Sequence, residues 1–106
     1  AAVIRSFHAS RVPDLPRLSM TDLRRRTKEV VNDLSATCPA LSERITALGV
    51  GLDRRLDALD DQGSVTLHND LHWNQVRIDG ERYTLLDLER MAVGDPLIDV
   101  ANLAIQ

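Results

Sequence analysis

Three residues in the last third of the chain have side chains suited to phosphoryl transfer: Asp70, Gln75 and Asp87. One carboxylate could accept or orient the proton of an attacking hydroxyl. A second carboxylate and a side-chain carbonyl are oxygen ligands of the kind that Mg²⁺ prefers. Such an ion would neutralise charge on the β- and γ-phosphates of a nucleotide. The three residues, with Glu89 nearby in sequence, are therefore candidates for one site if the fold brings them together.

The segment between the two aspartates predicts how they would meet. Asp79-Gly80 lies between two alternating runs, 75–78 and 82–86. An Asp-Gly pair in this setting predicts a hairpin, because a type I′ turn needs positive φ at both loop residues. The predicted pairs are Ile78 with Glu81, Val76 with Tyr83, and Gln75 with Thr84. This register returns Asp87 to the side of the 68–74 loop, where Asp70 lies.

Other interpretations of the same residues remain open at this point. Asp70 could end a strand, Asp87 could be an exposed turn acid, and the loop histidines could be ordinary polar residues. A metal-dependent hydrolase built on His68-x-Asp70-x-His72 is another alternative, since two histidines and a carboxylate can chelate Zn²⁺ or Fe²⁺. The loop lacks the further His or Cys ligands of such a site, and His8 is remote in sequence.

The elements around the loop predict an α+β fold. Residues 19–22 form a capping signature, and apolar residues at helical spacing follow over 23–34 and again over 41–59. Each of these two long helices is expected to turn one stripe to a core, the second beginning near Pro39 and ending at 60–63. A short β-type run at 64–67 follows. Asp95 is a candidate N-cap for the last helix, with Pro96 at its first position.

The composition argues against some classes of function. The net charge is -3 and only 3% of residues are aromatic, which argues against a dedicated nucleic-acid binder. The basic residues at 24–28 are expected to form a solvated face, since acids surround them. No apolar run approaches the roughly 20 residues of a membrane helix. The single Cys38 cannot form an intrachain disulfide, so a reducing cytoplasm is expected.

Three motifs resemble those of one known family. The segment His68-Asn69-Asp70-Leu71-His72-Trp73-Asn74-Gln75-Val76 resembles the catalytic loop of the aminoglycoside phosphotransferase and choline kinase family, usually His-Gly-Asp-Leu-His-Pro-x-Asn-Val. Leu85-Leu86-Asp87-Leu88-Glu89 resembles its metal motif, Ile-Asp-Trp/Phe-Glu. Residues 94–101 resemble its Gly-Asp-Pro-x-x-Asp-Leu-Ala segment. The helices that precede the loop also fit, loosely, with Phe7-His8 at a Leu-His position.

The resemblance implies roles for the matched positions. Asp70 would be the catalytic base and His68 would brace its loop. Asp87 and Gln75 would hold Mg²⁺ and with it the phosphates of ATP or GTP. The remaining implied roles are substrate contact or support for His72 and Glu89, and structural support for Asp95 and Asp99. The acceptor would be a small hydroxylated molecule, such as a sugar, an aminoglycoside or an amino alcohol.

The resemblance also implies an incomplete catalytic unit. Residues 1–63 would be the helical part of a kinase-like C-terminal lobe, 64–95 its catalytic loop, hairpin and metal loop, and 96–106 the start of a following helix. No Gly-rich phosphate loop and no strand lysine paired with a helix glutamate are found, so the nucleotide-binding lobe is absent. Both ends lie within predicted helices without caps, and the chain is expected to be an inactive part of a longer enzyme.

Two departures from the motif bear on activity. Gln75 occupies the place of the metal-binding Asn, and Asn69 replaces the usual Gly. Gln carries the same carbonyl oxygen on a stem one methylene longer, so ligation of Mg²⁺ remains feasible. The alternative function is a non-catalytic, pseudokinase-like module that binds nucleotide, metal or a partner. A lone lobe would also expose an apolar inter-lobe face through which it could self-associate.

Overall fold

The computed structural model describes residues 2–59 and 63–105. It divides into two compact units. The first, here called the site unit, comprises residues 2–18 and 63–105, and the second, the helical pair, comprises residues 19–59. Residues 60–62, where the sequence predicts the end of the second long helix, lie outside the described residues, as do the predicted helical residues 1 and 106.

Helices and short antiparallel strands make an α+β fold, as predicted. The helices are α1 (Ala2–Ala9), α2 (Met20–Thr37), α3 (Ser42–Asp57) and α4 (Leu97–Ile105). The strands are β1 (Val65–Leu67), β2 (Val76–Asp79), β3 (Arg82–Leu85) and β4 (Ala92–Gly94). Among the described residues, single 3-10 turns cover Pro39–Leu41, Trp73–Gln75 and Leu88–Arg90. Across the described ranges, no helix combines the length and apolarity that a membrane-spanning segment needs.

The start of α2 confirms the predicted capping signature. The Asp22 amide donates to Ser19 Oγ at 3.1 Å, and the Ser19 amide donates to Asp22 Oδ2 at 3.2 Å. Hydrogen bonds from Ser19 hold the pKa of Asp22 below its usual value, with a smaller contribution from Arg25. The second long helix begins later than predicted. Pro39 opens a 3-10 turn instead, and α3 starts at Ser42.

Charged residues join the two helices of the helical pair. Arg24 Nε and Nη2 donate to the two carboxylate oxygens of Asp53 at 2.9 and 3.0 Å, and Nη1 donates to Asp57. Lys28 Nζ lies 3.7 Å from Asp53 Oδ2. The Arg24 hydrogen bonds lower the pKa of Asp53. The basic cluster of α2 is therefore paired in part with acids on α3, as its acidic surroundings suggested.

The prediction that both helices turn an apolar stripe to a core is wrong for several positions. Among the described residues of α2 and α3, none is buried. Val30, Leu34 and Leu48 are 56%, 48% and 74% exposed. Two helices that pack on each other cover only the facing side of each, so the flanks of a wide stripe stay open. The two helices approach closely at Gly49, where a Cβ would lie 2.7 Å from Val31 Cγ1.

The site unit contains the buried apolar core of the described residues, formed by Leu18, Leu67, Leu71 and Ala92. Strands β1 and β4 pair antiparallel, with Thr66 opposite Val93. The segment before α2 adds to this sheet, because the Leu18 amide donates to Val93 O and the Val93 amide to Pro16 O, both at 2.8 Å. Strand β4 has no signal in the sequence, because its three residues are too few for a visible alternation.

Gly94 fits closely against this segment, and we expect Gly94→Ala to destabilise the site unit. A Cβ would lie 2.7 Å from Leu18 O and 3.0 Å from Leu67 Cδ1. Because the backbone oxygen cannot rotate away, we expect the free energy of unfolding, measured with denaturant, to fall by about 1–3 kcal/mol. Gly51→Ala is the matched control, since a Cβ there meets nothing within 4 Å and α3 would gain about 0.5–1 kcal/mol. Equal stability of the Gly94 variant and wild type would contradict the close packing.

The β2–β3 hairpin forms, but in a different register from the predicted one. Its loop residues are Gly80 and Glu81, with Asp79 paired to Arg82, Ile78 to Tyr83 and Val76 to Leu85. Within the hairpin, all of whose residues are described, only Gly80 has a positive φ, 59°. A type II′ turn requires this at its first loop residue alone, whereas the predicted type I′ turn requires it at two. Glycine therefore takes the first loop position and Asp79 stays in β2.

Candidate active site

Asp99 on α4 holds the beginning of the 68–74 loop. Its side chain is fully buried. Asp99 Oδ1 accepts the Asn69 amide at 2.8 Å, and Oδ2 accepts the His68 amide at 2.9 Å. Oδ2 also contacts His8 Nε2 on α1 at 2.9 Å. The sequence suggests no site role for His8, which is remote from the 68–72 loop along the chain and fits the family's Leu-His position only loosely.

His68 connects this loop to the segment that carries Asp87. Its ring is fully buried, and Nε2 lies 2.8 Å from Leu86 O, which identifies Nε2 as the donor. The Phe7 ring packs beside it, with the ring centroids 6.3 Å apart. The Leu86 amide in turn donates to Gln75 O at 2.8 Å. These two hydrogen bonds fix the backbone just before Asp87 against both ends of the catalytic-loop segment.

Two site residues have left-handed backbone conformations. Asn69 has φ 64° and Asp87 has φ 59°. Asn tolerates this region better than most residues, so it can replace the Gly usual at position 69. Its side chain adds a contact that Gly lacks, because Nδ2 donates to Arg90 O at 3.1 Å. Asp87 is held in a conformation that costs energy for a non-glycine residue, a feature that concentrates at functional sites.

Gln75 and Asp87 form a corner that fits a divalent cation. Gln75 is buried, and its Nε2 lies 3.5 Å from Asp87 Oδ2, the upper limit of a hydrogen bond. Its Oε1 is buried without a hydrogen-bond partner in the described part of the chain. A half-turn of the amide exchanges the two atoms and directs the carbonyl oxygen towards Asp87. An oxygen pair of this kind suits Mg²⁺.

The Asp70 carboxylate is open to solvent, and Asp87 is exposed as well. The Asp70 side chain is 45% exposed, so a small molecule can reach the carboxylate. Arg90 Nη1 lies 3.9 Å from Asp70 Oδ2, and the Arg90 side chain is itself 64% exposed. The distance is too long for a direct hydrogen bond. The sequence gives no sign that Arg90 lies near Asp70, since only the folded 3-10 turn after Asp87 brings the two together.

The remaining predicted residues lie around this centre. Asp95 Oδ1 accepts the Leu97 amide at 2.8 Å, a capping contact with the first residue of α4, which begins one residue after the predicted Pro96. His72 is half-buried, and its Nδ1 is buried with no hydrogen-bond partner among the described residues. Glu89 is exposed in the 3-10 turn after Asp87. The structure therefore gives Asp95 a capping contact and leaves Glu89 open to solvent.

The hydrolase alternative is not supported by the side-chain positions. Within residues 2–59 and 63–105, no group of three or more His, Cys, Asp or Glu side chains is arranged to hold a metal ion. His68 Nε2 is occupied by Leu86 O, and His68 is buried while Asp70 is open to solvent. The three residues of the His68-x-Asp70-x-His72 pattern therefore do not converge as one ligand set.

Comparison with known proteins agrees with the motifs. The model of the phosphotransferase enzyme family matches residues 1–105, which includes the helices before the catalytic loop. The chain belongs to the phosphotransferase enzyme family, and its resemblance to aminoglycoside phosphotransferases and choline kinases is confirmed. No curated protein and no solved structure gave a significant match to the chain.

Proposed function

We propose that this chain is the catalytic-loop part of a kinase that transfers the γ-phosphoryl group of ATP or GTP, with Mg²⁺, to a hydroxyl of a small molecule. The observation that carries the proposal is that two neighbouring loops are held in place by buried side chains. Asp99 holds the loop of Asp70, and His68 holds the backbone before Asp87. An open carboxylate and a candidate cation corner are thereby fixed on adjacent segments, an arrangement that phosphoryl transfer requires.

Asp70 would orient the acceptor. Its exposed carboxylate receives the hydroxyl of the incoming molecule as a hydrogen-bond acceptor and takes the proton as the oxygen attacks. The rigid backbone behind it keeps the carboxylate in place, because the amides of the two preceding residues, His68 and Asn69, are bound to Asp99. Positioning of this kind supplies a large part of catalysis in phosphoryl transfer.

Gln75 and Asp87 would hold Mg²⁺ through Oε1 and a carboxylate oxygen. When bound, the ion supplies positive charge to the β- and γ-phosphates. We expect Gln75→Leu, which keeps the side-chain bulk and removes the carbonyl, to raise the Mg²⁺ concentration for half-maximal activity by about 10–100-fold. Gln75→Asn is the matched control, since it retains a carbonyl oxygen. An unchanged Mg²⁺ titration for Gln75→Leu would show that the ion is held elsewhere.

The proposal extends to the architecture of the whole enzyme. A protein-kinase-like fold is proposed, with residues 64–95 as its catalytic and metal segments and a nucleotide-binding lobe outside these 106 residues. Sugars, aminoglycosides and amino alcohols are the acceptor classes to test. A reducing, cytoplasmic setting suits the single Cys38. The exposed apolar residues of the helical pair, including Leu48, support self-association as a further property to test.

A non-catalytic binding module is the second candidate. The observation that favours it is Gln75 in the place of the family's metal-binding Asn. Such a module would bind Mg²⁺ and nucleotide at the same corner without productive transfer. The two candidates share the site and differ in turnover alone.

The test is phosphoryl transfer by the full-length protein. Purified protein is incubated with ATP or GTP, Mg²⁺ and a panel of sugars, aminoglycosides and amino alcohols, and phosphorylated product is detected by mass spectrometry. Product that requires Mg²⁺ and disappears with a chelator is the expected result. Nucleotide binding with no product for any acceptor would favour the binding module. Zn²⁺-dependent hydrolysis without any phosphorylated product would overturn the kinase proposal.

A further inference from the structure

Arg90 has a fixed backbone and an exposed side chain beside Asp70. Its carbonyl oxygen accepts Asn69 Nδ2 at 3.1 Å, and it ends the 3-10 turn Leu88–Arg90 just before β4. The guanidinium lies 3.9 Å from Asp70 Oδ2 at 64% exposure. At this separation Asp70 accepts no direct hydrogen bond from the N–H groups of the guanidinium. A positively charged group with available donors is therefore tethered at the open face of the candidate base.

We propose that the Arg90 guanidinium binds the phosphoryl group while it is transferred, an inference that rests on the kinase function proposed above. An acceptor oxygen hydrogen-bonded to Asp70 lies within about 3.2 Å of that carboxylate. The attacked phosphorus lies about 3–3.5 Å further on. A guanidinium that already approaches Asp70 to 3.9 Å can reach the equatorial phosphoryl oxygens by a change of side-chain rotamer. Its planar fork of donors matches two such oxygens.

The chemical step places negative charge where this cation would act. The acceptor oxygen forms a bond to the γ-phosphorus, and the bond from that phosphorus to the β–γ bridging oxygen breaks. The bonding electron pair leaves with the nucleoside diphosphate, and the hydroxyl proton passes to an Asp70 carboxylate oxygen. Arg90 gives up no proton. It stabilises the charge spread over the three equatorial oxygens, the contribution that an arginine makes in other phosphoryl transfers.

Asn69 acts as a positioning residue for Arg90. Its left-handed backbone, φ 64°, is one that Gly adopts freely. Asn69→Gly would therefore preserve the loop conformation and remove only the amide that binds Arg90 O. Loss of this contact would let the turn after Asp87 move relative to Asp70. The variant separates the effect of Arg90 placement from the effect of its charge.

Kinetics of the full-length protein test the proposal. Arg90→Ala is expected to lower kcat by about 10²–10³-fold, with Arg90→Lys and Asn69→Gly intermediate and acceptor KM little changed. Added guanidinium should restore part of the activity of Arg90→Ala, which a merely structural role would not allow. Arg82→Ala, at an exposed position in β3, is the matched control. Unchanged kcat in Arg90→Ala, or an effect confined to the KM of anionic acceptors, would overturn the inference.

A binding measurement distinguishes this inference from the proposed function. Inorganic phosphate is titrated into the ¹⁵N-labelled full-length protein, and the Nε–Hε signals of Arg90 and Arg82 are followed by NMR. Phosphate should shift the Arg90 signal selectively, and Asp70→Asn should strengthen binding because it removes a competing negative charge. If wild type transfers no phosphate but the selective shift is present, the kinase proposal fails and the Arg90 anion site stands. If transfer occurs without the shift and Arg90→Ala remains active, the Arg90 inference alone fails.

Discussion

Asp70→Asn is expected to lower kcat of the full-length protein by about 10³–10⁴-fold, the upper part of the range for loss of a general base. Asn is nearly isosteric with Asp, and the wild-type carboxylate is 45% exposed. The variant therefore removes the proton acceptor without opening a cavity. The thermal unfolding midpoint should stay within about 2 °C of wild type, because surface substitutions change stability by at most about 0.5 kcal/mol.

Asp79→Asn is the matched control for this variant. Asp79 is an exposed acid at the end of β2, paired in register with Arg82 and outside the proposed site. Its replacement makes the same change of charge and should leave kcat within twofold of wild type. Steady-state kinetics at saturating acceptor measure both variants. An Asp70 variant that retains more than a tenth of wild-type kcat would show that the carboxylate is not the base.

Asp99→Ala is expected to destabilise the site unit by about 3–5 kcal/mol and to lower activity by at least 10²-fold. Three donors would lose their acceptor: the amides of His68 and Asn69 and the Nε2 of His8. Each buried donor left unpaired costs about 1–3 kcal/mol. The sum is a large part of the 5–15 kcal/mol by which a domain is normally stable. Displacement of Asp70 with its loop by about 1 Å would account for the kinetic effect.

His8→Ala provides a graded comparison, because it removes one of the three partners and leaves both amide hydrogen bonds of Asp99. In urea-induced unfolding, His8→Ala should lower the free energy of unfolding by less than half as much as Asp99→Ala does, and most of the activity should remain. If His8→Ala were as damaging as Asp99→Ala, the contact with α1, and not the two amide hydrogen bonds, would be the main support of the loop. Equal stability of wild type and Asp99→Ala would contradict the buried network altogether.

Short sequence patterns predicted the parts of the fold that depend on contacts between residues close together in the chain. The Ser19–Asp22 capping box formed as expected, and Asp95 accepts the Leu97 amide although α4 begins one residue later than predicted; each contact joins residues at most three positions apart. The hairpin was predicted from Asp79-Gly80, but its register was wrong because two turn types compete for the same glycine. The burial of the helix stripes was also wrong, since Val30 and Leu48 depend on neighbours that periodicity does not specify.

The site was predictable as a set of residue types and not as a set of contacts. The spacing predicts that Asp87 lies near the catalytic loop. In the structure the backbone of Leu86 is hydrogen-bonded to Gln75 and His68. The approach of Arg90 to Asp70 was not foreseen, because it depends on a 3-10 turn of three residues that carries no periodic signal. The His8 contact was not foreseen either, since it joins the first and last helices.

The contact between His8 and Asp99 also has a consequence for folding order. The two residues are 91 positions apart, so the chain must close nearly its full length before the hydrogen bond can form. Closure of so long a loop is entropically costly and is repaid only when the surrounding contacts form with it. The catalytic loop should therefore become ordered late in folding. In hydrogen exchange, the His68 and Asn69 amides would exchange only through openings that detach α4, so their protection would report the integrity of the whole site unit.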